Sequence, residues 1–122
     1  MPVTLRTPDA DDMPGLARVF FDGLGRPRVD DHLTRYQRLL EPKRCLVVVD
    51  GERVVGSAVS TPTSVAMPGG GTARGAIVTG VAVQPTHRRQ GWLRRMMHEQ
   101  LAALRDAGEV VAVLRATEGA IY

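Results

Sequence analysis

An apolar strand pattern over residues 76–83 runs past Pro85 into a basic turn, Arg88-Arg89-Gln90-Gly91, and then into an amphipathic helix pattern over residues 91–107. This succession constrains the fold more than any other part of the chain. Pro85 stops the strand, because it has no N–H and restricts the residue before it. Leu93, Met96, Met97, Leu101 and Leu104 form the apolar stripe expected of the helix, and Gly108 ends it. A further apolar run, residues 110–114, follows as a strand. Strand, helix and strand in that order predict a parallel crossover within one sheet, with the basic turn inside the crossover.

The upstream half supplies the rest of the sheet and its cover. Residues 3–6 alternate as a short strand. Asp9, Asp11 and Asp12 open a helix that runs to Leu24, with Met13, Leu16, Phe20 and Leu24 on one face, and Gly23, Gly25 and Pro27 closing it. Asp30-Asp31 opens a second helix with Leu33, Tyr36, Leu39 and Leu40 at helical spacing, closed by Pro42. Residues 45–49 are a buried-strand pattern, Asp50-Gly51 is a hairpin signal, and residues 53–61 read as the return strand. Residues 62–72, with Pro68-Gly69-Gly70-Gly71, read as a strand end followed by a mobile loop. The order β, α, α, β, β, β, α, β predicts an α/β (α+β) fold, a mixed sheet flanked by helices, in a single domain spanning residues 1–122.

Charge is where function first becomes visible. The net charge is +3, but Arg88, Arg89, Arg94 and Arg95 are crowded into residues 88–95 with only Glu99 nearby to answer them. Such a cluster suggests an anionic partner, whether a phosphate group, a nucleic acid or an anionic membrane, or else forms a solvated basic helix face, and charge alone does not decide among them. No apolar stretch approaches the roughly 18 residues of a membrane span. The N-terminus lacks the basic-then-apolar order of a secretory signal, so a cytoplasmic location is expected. The single Cys45 excludes an intramolecular disulfide and a cysteine-based zinc cluster, and its apolar neighbours predict a buried, inert thiol. No metal is expected. His32 and His98 read as surface residues, and His87, bordering the basic turn, reads as phosphate-side or structural rather than as a general base.

The turn between residues 83 and 94 has the physical make-up of a phosphate site. The first N–H groups of a helix lack intrahelical acceptors, and the macrodipole adds partial positive charge there. Gly91 lets a phosphate approach the backbone without a Cβ in the way, and Arg88, Arg89 and Arg94 can add charge-assisted hydrogen bonds. Several donors converging on one short turn suit a diphosphate better than a carboxylate. There is no Gly-rich run ending in Gly-Lys-Ser/Thr and no Gly-x-Gly-x-x-Gly, which excludes a P-loop and argues against a dinucleotide turn.

Arg88-Arg89-Gln90-Gly91-Trp92-Leu93 resembles the Gln/Arg-x-x-Gly-x-Gly/Ala turn of GNAT N-acetyltransferases. The longer run of residues 79–89, with Pro85-Thr86-His87-Arg88-Arg89, and the terminal Ala116-Thr117-Glu118-Gly119-Ala120-Ile121-Tyr122 are more specifically similar to the Eis-type members. Leu93 departs from the superfamily's Gly or Ala at its position, though not from the Eis-type pattern. The resemblance implies a GNAT-like sheet and acetyl-CoA as co-substrate. It implies that Val81, Ala82 and Val83 offer their backbone to the pantetheine arm. It places the pyrophosphate on Arg89, Gln90, Gly91, Trp92, Leu93 and Arg94, beside the Arg88 side chain already counted among the phosphate donors, with further cofactor contacts from Thr117 and Glu118. Tyr122 matches the tyrosine that serves as general acid toward the departing thiolate; a phenol near its ordinary pKa of about 10 is protonated at neutral pH, as that task requires. Strand N–H groups near Val81 to Val83 could polarise the thioester carbonyl.

These expectations lead to an acyl-CoA-dependent N-acetyltransferase acting on a primary amine, of aminoglycoside or lysine type, by direct attack. Eis-type proteins continue beyond this tyrosine, so the chain reads as the N-terminal part of such a domain, incomplete at its C-terminus, with a last strand whose apolar edge favours homo-oligomers. The alternatives are a catalytically inactive, truncated CoA-binding module that oligomerises, and a basic nucleic-acid-binding domain. The last lacks aromatic stacking positions and a helix-turn-helix pattern.

Overall fold

The computed structural model describes residues 2–116. Its elements follow the expected order: β1 (Val3–Arg6), α1 (Met13–Gly23), α2 (Asp30–Arg38), β2 (Cys45–Asp50), β3 (Arg53–Ala66), β4 (Thr72–Val83), α3 (Trp92–Asp106) and β5 (Val111–Val113). Among the described residues these strands form one sheet in the order β1-β2-β3-β4-β5. The first three pairings are antiparallel, and β4 with β5 is parallel, as the crossover through α3 requires.

Helices cover both faces of the sheet. The alternation of β2 sends Cys45, Val47 and Val49 into a core with Met13, Leu16 and Val19 of α1, while Val48 joins Val55, Ala58, Trp92 and Met96 on the α3 side. A third cluster, Ala76, Val78 and Leu104, continues the α3 core under β4. Asp9 begins the N-terminal helical segment. Its Oδ1 accepts the N–H of Asp11 and of Asp12, and the Asp12 carboxylate accepts the N–H of Asp9, a reciprocal cap on the short 3-10 turn that leads into α1.

Several sequence expectations are corrected. The loop expected after a strand end within residues 62–72 is shorter than that reading implies: β3 continues to Ala66, β4 begins at Thr72, and Pro62 sits opposite Ala76. The turn shrinks to residues 67–71, closed by the Met67 N–H on Gly71 O at 2.8 Å. Pro62 is tolerated because β2 pairs no further than Val59, so one side of β3 is already an edge there.

The helical faces are also shifted. α1 ends at Gly23, which leaves Leu24 outside the helix and 48% exposed; the buried face is Met13, Leu16, Ala17, Val19 and Phe21. Phe20 instead stacks on Tyr36 with ring centroids 5.3 Å apart. α2 ends before Leu39, which is 76% exposed. On α3 the buried line is Trp92, Met96, Gln100 and Leu104, at a strict four-residue spacing, and Leu101 lies outside it at the open side of the helix. The last strand is Val111–Val113, shorter than expected at both ends.

Candidate functional site

Two features at the C-terminal end of β4 create the site. The first is a parting of strands: β5 pairs β4 only over Gly75, Ala76 and Ile77, yet β4 runs on to Val83. Residues 78–83 therefore keep a free strand edge on that side among the described residues. The second is a bulge. Ala82 pairs with Ser57 and Thr79 with Val59, so β4 takes three steps where β3 takes two. The extra residue is accommodated at Gly80, whose φ of +61° is left-handed, and a Cβ there would lie 2.7 Å from both Tyr36 Oη and Val59 Cγ2. Ser57 Oγ donates to Gly80 O at 2.6 Å, holding the bulge from within the sheet. Tyr36 Oη is buried without a hydrogen-bond partner among the described residues, and burial raises the phenol above its ordinary pKa.

β4 leads directly into the basic turn. Gln84 N–H donates to Val55 O, Pro85–His87 form a 3-10 turn, and Arg88 Nε donates to Val83 O at 3.2 Å. Arg89, at φ +62°, is the one non-glycine in the left-handed region among the described residues, and Gly91 follows at φ +84° as the N-cap of α3. Among the described residues no side chain caps that end; the first bond within the helix runs from Arg95 N–H to Gly91 O. The preceding N–H groups of the first turn are thus left to the outside. A Cβ on Gly91 would meet nothing within 4 Å, so space is open in front of them. Arg88, Arg89 and Arg94 are exposed, and among the described residues no carboxylate pairs with any of them.

Of the residues expected at the site, Val81, Ala82 and Val83 stand half-buried at the end of β4, and Arg88, Arg89, Gln90, Gly91 and Arg94 are exposed on the turn and the start of α3. Leu93 is half-buried. Trp92 is buried in the α3 core with Val48 and Met96, its indole N–H donating to Gln90 Oε1 at 3.3 Å, so its backbone rather than its ring belongs to the open helix end. The Arg95 guanidinium lies 4.6 Å from the Trp92 ring centroid, a cation–π contact within the first turn of α3. Thr117, Glu118 and Tyr122 lie outside the described residues.

Sequence reasoning missed the bulge at Gly80, although a lone glycine in an apolar run is the usual sign of one. It also missed Asp50 beside His87 and the hydrogen bond from Gln84 Nε2 to Asp22 Oδ2 at 3.4 Å. Neither pairing has a local sequence signal. Asp22 flanks a cleft of about 160 Å³ between the end of α1 and Val83, Gln84 and Arg88. Arg28 is hydrogen-bonded to its carboxylate and, with a smaller part from Gln84, holds it below the usual carboxylate range. Cys45 is buried on the α1 side, and burial pushes its thiol up to about 11.

A mixed sheet whose fourth and fifth strands part beside a basic, glycine-capped helix start is the architecture of GNAT acetyltransferases. The sequence profile of the acetyltransferase (GNAT) domain matches residues 4–122, and the chain belongs to that family. The N-acetyltransferase Eis of Mycobacterium bovis is 38% identical over 130 aligned positions, covering 100% of this chain and 31% of that protein. An uncharacterised N-acetyltransferase of Streptomyces avermitilis is 45% identical over 87 positions, 71% of this chain and 21% of its own length. The chain thus spans about a third or less of these relatives. Among solved structures, Eis1 of Mycobacterium abscessus superposes with a TM-score of 0.86 at 30% identity, over 99% of this chain and 30% of that one. A predicted acetyltransferase of Clostridium acetobutylicum, determined with acetyl-CoA, shares the fold at a TM-score of 0.78 and 18% identity, over 96% of this chain and 82% of that one.

Proposed function

We propose that the chain binds acetyl-CoA along the free edge of β4 and in the basic turn, and that it serves transfer of the acetyl group to a primary amine. The carrying observation is the continuity of the two halves of the site. Among the described residues, the edge of residues 78–83 that β5 leaves unpaired leads through the short turn of residues 84–91 to the uncapped first turn of α3. A strand edge suits the amides of a pantetheine arm, because it pairs them as a further strand would. The turn suits a diphosphate: open N–H groups, three exposed arginines without carboxylate partners among the described residues, and room in front of Gly91.

The bound co-substrate supplies an activated thioester. The amine nitrogen adds to the acetyl carbon, the carbon–sulfur bond breaks, and an amide and free CoA thiol result, the amine's proton ending on the sulfur. Backbone N–H groups of Val81 to Val83 are in the right element to hold the carbonyl oxygen during this step. Cys45, buried with a raised thiol pKa, is protonated at neutral pH, which favours direct transfer over an acyl-cysteine intermediate. Tyr122 is assigned the proton donation to sulfur, with Thr117 and Glu118 as further cofactor contacts, on the family resemblance alone. An aminoglycoside or lysine-like amine is the acceptor class, acting in the cytoplasm where acetyl-CoA is available. The exposed Val110, Val113 and Ile77 beside β5 are read as a self-association surface, and a strictly monomeric species in light scattering at micromolar concentration would remove that part.

Calorimetric titration with acetyl-CoA tests the binding assignment, and silence at ~1 mM ligand, a limit of weak affinity, would sink it. Gly91→Glu is expected to abolish binding by placing a carboxylate against the diphosphate and straining a left-handed position. Unchanged affinity in that variant would mean that the site lies elsewhere. Thiol release with a panel of amines then separates an enzyme from a binding module, and Tyr122→Phe with wild-type turnover would take the acid role from Tyr122.

A further inference from the structure

We propose that Asp50 and His87 form the positioning pair of the diphosphate turn, an inference that rests on the acetyl-CoA assignment above. The His87 ring is used on both sides. Nε2 lies 2.8 Å from Asp50 Oδ2, and Nδ1 lies 2.7 Å from Thr86 Oγ1. A carboxylate only accepts, so Nε2 carries a proton and donates it to Asp50; in the neutral ring Nδ1 then accepts from the Thr86 hydroxyl. With both nitrogens engaged by the protein and the side chain 16% exposed, His87 has no free nitrogen to offer a substrate. It is a strut, and it acts through the turn it belongs to.

The turn needs one. Between Val83 and Trp92 the backbone passes through a 3-10 turn, an extended Arg88, a left-handed Arg89 and a left-handed Gly91. Its own bonds are few: His87 N–H on Gln84 O, a long Arg88 N–H on Pro85 O at 3.5 Å, Arg88 Nε on Val83 O, and the Trp92 indole N–H on Gln90 Oε1. Among the described residues, two side-chain contacts tie it to distant parts of the chain. Gln84 reaches Asp22 at 3.4 Å, and His87 reaches Asp50 at 2.8 Å. Asp50 is the last residue of β2, at the tight turn into β3, so the anchor sits on the rigid sheet. Fixing His87 fixes the start of Arg88 and Arg89, whose N–H groups and guanidinium groups must converge before a diphosphate arrives. A turn ordered in advance spares the ligand that ordering entropy.

The test measures acetyl-CoA affinity calorimetrically in the full chain and in His87→Ala, His87→Gln, His87→Asn, Asp50→Ala and the double alanine variant. Gln reaches the position of Nε2 and can still donate to Asp50; Asn matches Nδ1 and cannot. Loss of one charge-assisted hydrogen bond is expected to weaken binding about tenfold in His87→Ala and in Asp50→Ala. The double variant is expected to be no weaker than either single one, because the two residues act as a unit. His87→Gln should recover affinity to within about threefold of wild type, while His87→Asn should behave like Ala. A purely structural role would lower the melting temperature in all variants and leave affinity in place. Wild-type affinity in both alanine variants, additive losses in the double, or a Gln variant no better than Asn would each overturn the proposal. If His87→Ala does not fold, the Gln and Asn pair carries the test. A wild-type chain that shows no binding would remove the acetyl-CoA assignment and this inference with it, a result distinct from wild-type binding that His87→Ala leaves intact.

Discussion

Gly80 does at one position what no other residue could do there. Its left-handed backbone makes the bulge that shifts the register between β3 and β4, and Tyr36 Oη and Val59 Cγ2 fill the space where a side chain would begin. Gly80→Ala adds a steric clash to a strained conformation, and roughly 3 kcal/mol of lost stability is expected from the two together. Urea unfolding measures this, and a loss below about 0.5 kcal/mol, the range of an ordinary surface substitution, would show that the bulge relaxes freely. Gly91 differs in kind. It is also left-handed, but its missing Cβ faces open space, so its substitution is expected to act on the ligand more than on the fold. The two glycines separate a structural demand from a functional one within twelve residues of one another.

Among the elements, α3 packs on the sheet through Trp92, Met96 and Leu104, and a buried ion pair ties the segment between α3 and β5 to the start of β2. Arg44, just before β2, grips Glu109, between α3 and β5, with Nη1 and Nη2 on the two carboxylate oxygens at 3.1 and 2.6 Å. Glu109 is almost fully buried, its side chain 2% exposed, and Arg44 also donates to Ser60 O from Nε. Removing one partner of such a pair leaves a charge without compensation, so Glu109→Ala is expected to destabilise the chain by about 3–5 kcal/mol. Replacing both by alanine is expected to be less damaging than the single change, which a double-mutant cycle in chemical denaturation would register. A single variant as stable as wild type would show that β5 is held by strand pairing and apolar contact alone. The same element scale explains the misassigned faces. Leu24 and Leu39 fit helical spacing, yet each sits one residue past a helix end, and Leu101 lies beside the buried line of α3 rather than on it. Spacing shows which residues share a face; only packing shows where the neighbouring layer stops.

For the whole molecule, acid is the informative stress. The hydrogen bonds of Arg44 hold Glu109 below the usual carboxylate range, and those of Arg28 do the same for Asp22. Burial pushes Asp12 upward, but the hydrogen bonds from Arg6 and the Asp9 N–H, with the Arg6 charge, outweigh it and leave Asp12 lowered as well. A carboxylate with a depressed pKa in the folded state binds fewer protons there than in the unfolded chain, so stability rises with pH across that window. Its contribution is complete above the unfolded value of about 4 and is lost as pH falls through the folded values. The urea midpoint is expected to be nearly level above pH ~5 and to drop steadily below pH ~4, less steeply in Glu109→Gln. A midpoint that does not move between pH ~5 and ~3 would contradict the assignment of these three carboxylates.

Order and type of the elements, the crossover containing the basic turn, and the crowding of arginines at that turn were determined by the sequence alone. Each depends on interactions between near neighbours: apolar periodicity, Asp9 capping the first turn, Pro85 stopping a strand, and arginines beside an uncapped helix start. Tertiary structure decided the rest, because the remaining features join residues far apart in the chain. Residues 62–66 extend β3 because residues 72–76 lie opposite to pair with them, which carries the sheet further than the expected strand end. The parting of β4 from β5 is set where residues 111–113 run out as partners. The contact of His87 with Asp50 spans 37 positions and has no trace in local spacing, since only the folded sheet brings the β2–β3 turn beside the turn that precedes α3.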